Sequence, residues 1–518
     1  MATETQRHRE TKPKRLCASV ALWLSLLCAS VAHVAAAAPA WTTLQAPHFT
    51  LVGDTGEKRL HEIAARLEQF RAVLGRLLPN ATISTPVPTI VVVFGSQRSY
   101  EPFRPRFQGK TVPVGGFFQS GPDVNYLTLS VDGADDGFGI VCHEYTHLLL
   151  ANSIASVPAW LGEGLAEYYS TFALSANGKS ATIGGIIPHH VALLREHFVP
   201  LADILDVTRR SPLYNEVDKR TIFYAESWAI VHYLLIEYPG GETAIAHYLT
   251  AVASGAPAAD AFRSAFRMEP SDLEQQVRRY AGRSIYHSFQ YTFHEPVETA
   301  ASARGRTLTA AEADARLGDL LLHINRLDEA ATRLQEALRL DPDLAPAHLS
   351  LGLLLLRQRR GADAWPHLER AVAIDPASFF AQYSYALSVL RYRADDPNHP
   401  DVEAVNAAAA ALRKAVDLNA DSTDALAWLG YADLVAGTAL DEARTVLTRA
   451  VSLAPGRLDY RLRLAEINLR QNDFTEAVRL LTPLAAISDD TGVAAHARSL
   501  LQSIAARAPK LVPPAPDR

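Results

Sequence analysis

Residues 141–150 read VCHEYTHLLL, and within them His143-Glu144-Tyr145-Thr146-His147 is an H-E-x-x-H pattern. The apolar residues around it suit a helix. Four residues are just over one helical turn, so His143 and His147 project from the same face. Two imidazoles placed that way reach a single metal ion. Glu144 points to the side, where it meets a water on that ion and not the ion itself. Zinc suits such a set because it accepts imidazole nitrogen and carboxylate oxygen in a four-coordinate shell with one place left for water. Cys142 adjoins His143, but on a helix it points about 100° away from its neighbour, which makes it a small buried residue.

An open His-His site needs a third protein ligand. The segment 158–169, PAWLGEGLAEYY, supplies carboxylates on what reads as a second helix, with Glu163 and Glu167 at i, i+4 on one face. The pair H-E-Y-T-H and W-L-G-E-G-L-A-E-Y resembles the gluzincin zinc metallopeptidases, the group of thermolysin-like and aminopeptidase-like enzymes. It is most similar to peptidase-MA-like bacterial proteins with appended tetratricopeptide repeats. The resemblance covers roughly residues 41–290 and is carried by these two segments. It implies Glu163 as third zinc ligand and Glu167 as the carboxylate that orients a ligating His. The spacer between His147 and Glu163, fifteen residues, is shorter than in the aminopeptidase-like members. The loop between the helices must be short, and Glu167 as ligand with Glu163 behind it stays open.

The chain before this site reads as mixed sheet and helix. Residues 49–52 and 89–94 are strand-like, and 115–120 and 125–131 flank the turn pair Gly121-Pro122. Between them, Leu60, Ile63, Ala64, Leu67, Phe70, Val73 and Leu74 follow a helical rhythm over 57–78. By the resemblance, one of the strands 115–120 or 125–131 is the sheet edge that pairs with extended peptide. After Glu167 the chain turns helical. Residues 221–235 form an amphipathic helix whose Tyr224, with His232 behind it, is a candidate to stabilise a tetrahedral oxyanion. Tyr224 equally suits a core position with its hydroxyl satisfied. His189, His190 and His197 share no metal-binding spacing and read as surface residues. A helix is expected over 273–280 and a closing strand within 284–293.

Beyond residue 306 the sequence repeats. Asp341-Pro342 recurs at Asp375-Pro376 after 34 residues, and equivalent positions fall at Asn419-Ala420 and Ala454-Pro455 after 44 and 35. The longer interval holds an insertion at 392–400. Small residues such as Gly318, Gly352 and Gly430 fall where paired helices cross. Period and placement resemble about five tetratricopeptide repeats, each unable to bury its apolar face alone, stacked into a superhelix that holds a protein or peptide partner.

At 518 residues the chain exceeds one ordinary core. A net charge of −6 and no basic run past residue 15 argue against nucleic acid as main partner. Arg7, Arg9, Lys12, Lys14 and Arg15 precede an apolar stretch and an Ala-rich end, the layout of a signal peptide cleaved near Ala38. An uncleaved membrane anchor is the rival reading. With Cys17 and Cys28 inside that segment, Cys142 alone remains, so no internal disulfide forms in the mature chain.

The expected organisation is a signal peptide (1–38), an α+β zincin-like metallopeptidase domain (39–298), a linker (299–308), an all-α repeat solenoid with a capping helix (309–507) and a Pro-rich tail (508–518). The expected function is that of an exported, periplasmic or secreted, zinc-dependent metallopeptidase with Glu144 as general base. The competing expectation is a non-catalytic repeat scaffold that uses a peptidase-like domain for docking.

Overall fold

The computed structural model describes residues 40–508 except 78–84, 108, 113, 133–136, 155–156, 176–178, 209, 216, 254–255, 294–303, 394–400 and 487–490. The expected signal segment, half of the expected linker, most of the insertion at 392–400 and nearly all of the Pro-rich tail therefore lie outside the described residues. From Trp41 onward the chain forms one compact unit.

The run Thr89–Phe94, TIVVVF, is buried at every position. A run apolar on both faces belongs in the middle of a sheet covered on both sides, and that is its place. The six-stranded sheet runs in the order Arg306–Thr307, Thr42–Gln45, Phe49–Gly53, Thr89–Phe94, Asn125–Ser130, Gly116–Gln119. The central three strands are parallel and the flanking pairs antiparallel. Of the two strands that read as candidate edges, Gly116–Gln119 is outermost and Asn125–Ser130 lies inside. The end of the expected linker is tied into the sheet, since Thr307 pairs with Thr42.

Alternation along the strands divides the core. Leu51, Val91, Val93, Leu127 and Leu129 join the cluster that contains helix Glu57–Leu77, the His-bearing helix Phe138–Ser153, the Glu-bearing helix Ala159–Ser170 and the long helix Val217–Ile236. Val52, Ile90, Val92, Phe94 and Tyr126 point the other way and pack against Leu317, Leu320, Leu349 and Leu354 of the repeats. A smaller sheet of Phe289–Thr292, Ser180–Ile183 and Ala173–Leu174 closes the helical side.

The repeats are five helix pairs, starting with Ala310–His323 and Leu327–Leu340 and ending with Leu458–Arg470 and Phe474–Ala485, followed by the helix Thr491–Arg507. A Cβ at Gly318, Gly352 or Gly430 would come within 2.6–2.8 Å of a leucine on the paired helix, which is why the sequence keeps small residues there. Among the described residues no helix is long and apolar enough to cross a membrane.

The first repeats grip the sheet through a buried polar cluster. His323 donates from Nδ1 to the Asp319 carbonyl at 2.8 Å, and its Nε2 meets Asp123 at 3.0 Å. Burial pushes the His323 ring down, but Asp319 and Asp123 overcome it and lift its pKa to about 9. Burial opposes the charge on Asp123, yet His323 holds its carboxyl below the usual range. Tyr383 donates to the Pro122 carbonyl at 3.0 Å and Ser422 to that of Pro86 at 3.0 Å. Farther along, the Gly456 amide donates to the Asn152 carbonyl at 2.8 Å, at the end of the His-bearing helix. A Cβ on Gly456 would meet the Ala151 carbonyl at 2.3 Å.

Candidate metal centre

The Glu-bearing helix lies close against the long helix because it contains glycine where the two cross. At Gly164 a Cβ would meet the Ser227 carbonyl of the long helix at 2.3 Å. Residues 154–158 are all that separates the His-bearing helix from the Glu-bearing one, as the short spacer requires. Cys142 is buried with no exposed surface, packed in the core as expected.

His143 and His147 converge. Their Nε2 atoms are 3.2 Å apart. Glu163 enters from the second helix, with Oε2 3.2 Å from His147 Nε2 and 3.5 Å from His143 Nε2. These three residues could hold a metal ion. Bonds of about 2.0–2.1 Å in a tetrahedral shell place neighbouring ligand atoms about 3.3–3.4 Å apart. The observed triangle has that size, so the residues fit zinc. Glu163 is on the Nε2 side of the imidazoles, whereas Glu167 faces the other nitrogen of His143, with Oε1 3.6 Å from Nδ1.

The electrostatics also suit a cation. Burial raises the cost of charge on Glu163, but the two imidazoles win and hold its carboxyl far below the ordinary value. Burial pushes the His143 ring down, but Glu163, Glu167 and Glu144 together leave its pKa above the usual imidazole range. Three carboxylates around two imidazoles leave negative charge that a divalent ion neutralises. Glu144 is half-buried on the same helix turn.

Tyr224 is half-buried, and its ring lies nearly parallel to His143, with centroids 6.1 Å apart and planes at 12°. His232 has both ring nitrogens committed elsewhere. The His232 ring is fully buried, donates from Nε2 to the Gly184 carbonyl at 2.7 Å and accepts at Nδ1 from the Tyr280 hydroxyl at 2.7 Å. Burial holds it neutral. A ring satisfied at both nitrogens is a structural part of the core, which corrects the expectation for His232.

His189 and His197 are exposed, but His190 is not a surface residue: it is 3% exposed. The helix Pro188–Leu194 turns it inward, with Nε2 3.4 Å from Glu167 Oε2. Sequence reasoning also missed Tyr214, whose hydroxyl donates to Glu163 Oε1 at 2.7 Å. Tyr214 sits on a four-residue helix, Pro212–Asn215, too short to carry a periodic signal.

Comparison with known proteins agrees with this layout. Residues 114–282 match the Peptidase MA superfamily. Residues 318–358 match a TPR repeat family and residues 434–504 a tetratricopeptide repeat family. The chain thus carries a Peptidase MA superfamily domain followed by tetratricopeptide repeats. No curated protein matches the chain. Among solved structures it is similar to YrrB, a TPR protein with an unusual peptide-binding site, at 22% identity over 36% of this chain and 92% of that one, with a TM-score of 0.31. It is also similar to PilF of Pseudomonas aeruginosa, at 17% identity over 39% and 92% with a TM-score of 0.29. A third is MamA of Desulfovibrio magneticus RS-1, at 18% identity over 36% and 98% with a TM-score of 0.30.

Proposed function

We propose that this protein is an exported zinc-dependent metallopeptidase. The observation that carries the reading is the triangle of His143, His147 and Glu163 ligand atoms at tetrahedral spacing. Bound zinc supplies Lewis acidity for the scissile carbonyl and a water that ionises near neutral pH. Glu144, beside the two imidazoles, accepts the proton of the attacking water and passes it to the leaving amine. Tyr214 holds the second oxygen of Glu163 and so fixes the carboxylate's direction. Tyr224, stacked on His143, is the candidate for steadying the oxyanion. The outermost strand Gly116–Gln119, against which the His-bearing helix packs, offers backbone groups to an extended peptide. The segment 1–38 directs export, and the repeats add a surface for a protein or peptide partner.

The test is Glu144→Ala in the full-length protein. Zinc content should stay near that of the wild type while hydrolysis of casein or a peptide library falls by several orders of magnitude, as expected on losing a general base. Unchanged hydrolysis with intact metal refutes the role of Glu144.

The scaffold reading is supported by one observation: the sheet is docked on the repeats through Asp123 and His323. Zinc stoichiometry on purified protein, followed by digestion with and without chelator, separates the two readings. A wild-type protein that neither holds zinc nor cleaves any substrate leaves the scaffold.

A further inference from the structure

Glu167 has two oxygens and two histidine neighbours. Oε1 faces His143 Nδ1 at 3.6 Å, and Oε2 faces His190 Nε2 at 3.4 Å. His190 is buried, and neither of its ring nitrogens has a hydrogen-bond partner. The neighbouring rings do not satisfy it. Trp228 lies 6.0 Å away, centroid to centroid, and His189 4.3 Å, both as ring contacts. A buried imidazole without a partner is costly, and the polar group facing it is Oε2 of Glu167.

We infer that His190 is a positioning residue for the metal centre: it holds Glu167 Oε2 so that Oε1 is directed at Nδ1 of the ligand His143. This rests on the zinc reading of the site. A ligating imidazole is oriented by whatever its second nitrogen donates to, and that acceptor needs its own anchor. A donor at the far oxygen of Glu167 opposes rotation of the carboxylate away from His143. His190 comes from a separate element, Pro188–Leu194, so the orientation of His143 depends on how that short helix packs against the long helix bearing Trp228. The line His143–Glu167–His190 runs away from the Nε2 side of His143, so His190 is not placed as a metal ligand.

The experiment measures zinc affinity of the full-length protein by chelator competition. The visible spectrum of the cobalt-substituted protein reports ligand geometry independently. His190→Ala should weaken zinc about tenfold, the low end of what outer partners of metal ligands contribute, and should shift the cobalt bands. His190→Gln, whose amide donates from nearly the same place, should recover most of both. Adding His190→Ala to Glu167→Ala should cost nothing more, because His190 acts through Glu167. Wild-type affinity in His190→Ala, no rescue by glutamine, or additive losses in the double variant overturn the inference and leave the zinc site standing. A wild-type protein that binds no zinc overturns both. Far-UV circular dichroism of each variant separates a misfolded protein from an altered site.

Discussion

Two histidine–carboxylate clusters lie on opposite faces of the same sheet, built from the same chemical groups. In the first, His323 spends both nitrogens on Asp319 and Asp123, and Asp319 takes a further bond at 2.6 Å from Ser350. In the second, His143, His147 and Glu163 turn ligand atoms toward one another at 3.2–3.5 Å. One cluster is complete as protein and fastens the repeats to the sheet. The other converges on a point between its members, where it could hold a cation. Histidines and acids in proximity do not by themselves make a metal site; the direction of their lone pairs does.

The strongest way to break this contrast is to remove the shared acid from each cluster. Glu163→Ala should abolish stoichiometric zinc binding and reduce hydrolysis to background, with the fold intact by circular dichroism. Retained stoichiometric zinc would mean that the two imidazoles and another acid suffice. Asp123→Ala should do the reverse. It strands His323 in a buried position and should cost about 3–5 kcal/mol in denaturant unfolding, while zinc stoichiometry stays near the wild-type value. A loss below 1 kcal/mol would show that the cluster does not fasten the repeats.

A smaller effect tests whether the repeats are as tightly packed as the face that carries the candidate metal centre. Gly352→Ala puts a methyl 2.7 Å from Leu368. The leucine must move, at a cost of about 1–3 kcal/mol by the same unfolding assay. The smallest effect is the most diagnostic because the two clusters respond to pH in opposite directions. His323 has a folded pKa of about 9, above the usual imidazole value. Its contribution is fully present below the unfolded pKa and is lost as pH rises through 9, by at most about 1.4 kcal/mol per pH unit. Zinc binding at the candidate centre should instead weaken as pH falls, because imidazole must be neutral to coordinate. His323→Asn should flatten the alkaline limb of stability and leave the acid loss of metal unchanged.

Much of this arrangement could be read in the sequence. The apolar run 89–94, the recurrence near 341, 375, 419 and 454, and the i, i+4 histidines all carry local periodicity, which is what a sequence displays directly. The choice of edge strand was not legible, since 115–120 and 125–131 present similar patterns and only pairing decides which lies inside. The docking of the repeats on the sheet was also hidden. It depends on His323 meeting Asp123 and Tyr383 meeting Pro122, contacts between residues far apart in the chain. Tyr214 and His190 escaped for a related reason. Both sit on short helices whose direction is set by packing, so their inward turn leaves no trace in spacing. His232 misled because helical periodicity places a residue on a face without saying which polar atoms it will find there.

The contact between Gly456 and Asn152 has a consequence for the order in which the protein is made. The carbonyl of Asn152, near the end of the His-bearing helix, takes a hydrogen bond from an amide between the fourth and fifth repeats. A polypeptide leaves the ribosome N-terminus first, so the histidines emerge long before the residue that closes off their helix. A nascent chain halted ahead of Gly456 would carry both imidazoles on a helix, Phe138–Ser153, whose Asn152 carbonyl lacks this partner. The Asn152 carbonyl therefore gains this partner only after most of the repeats have been synthesised.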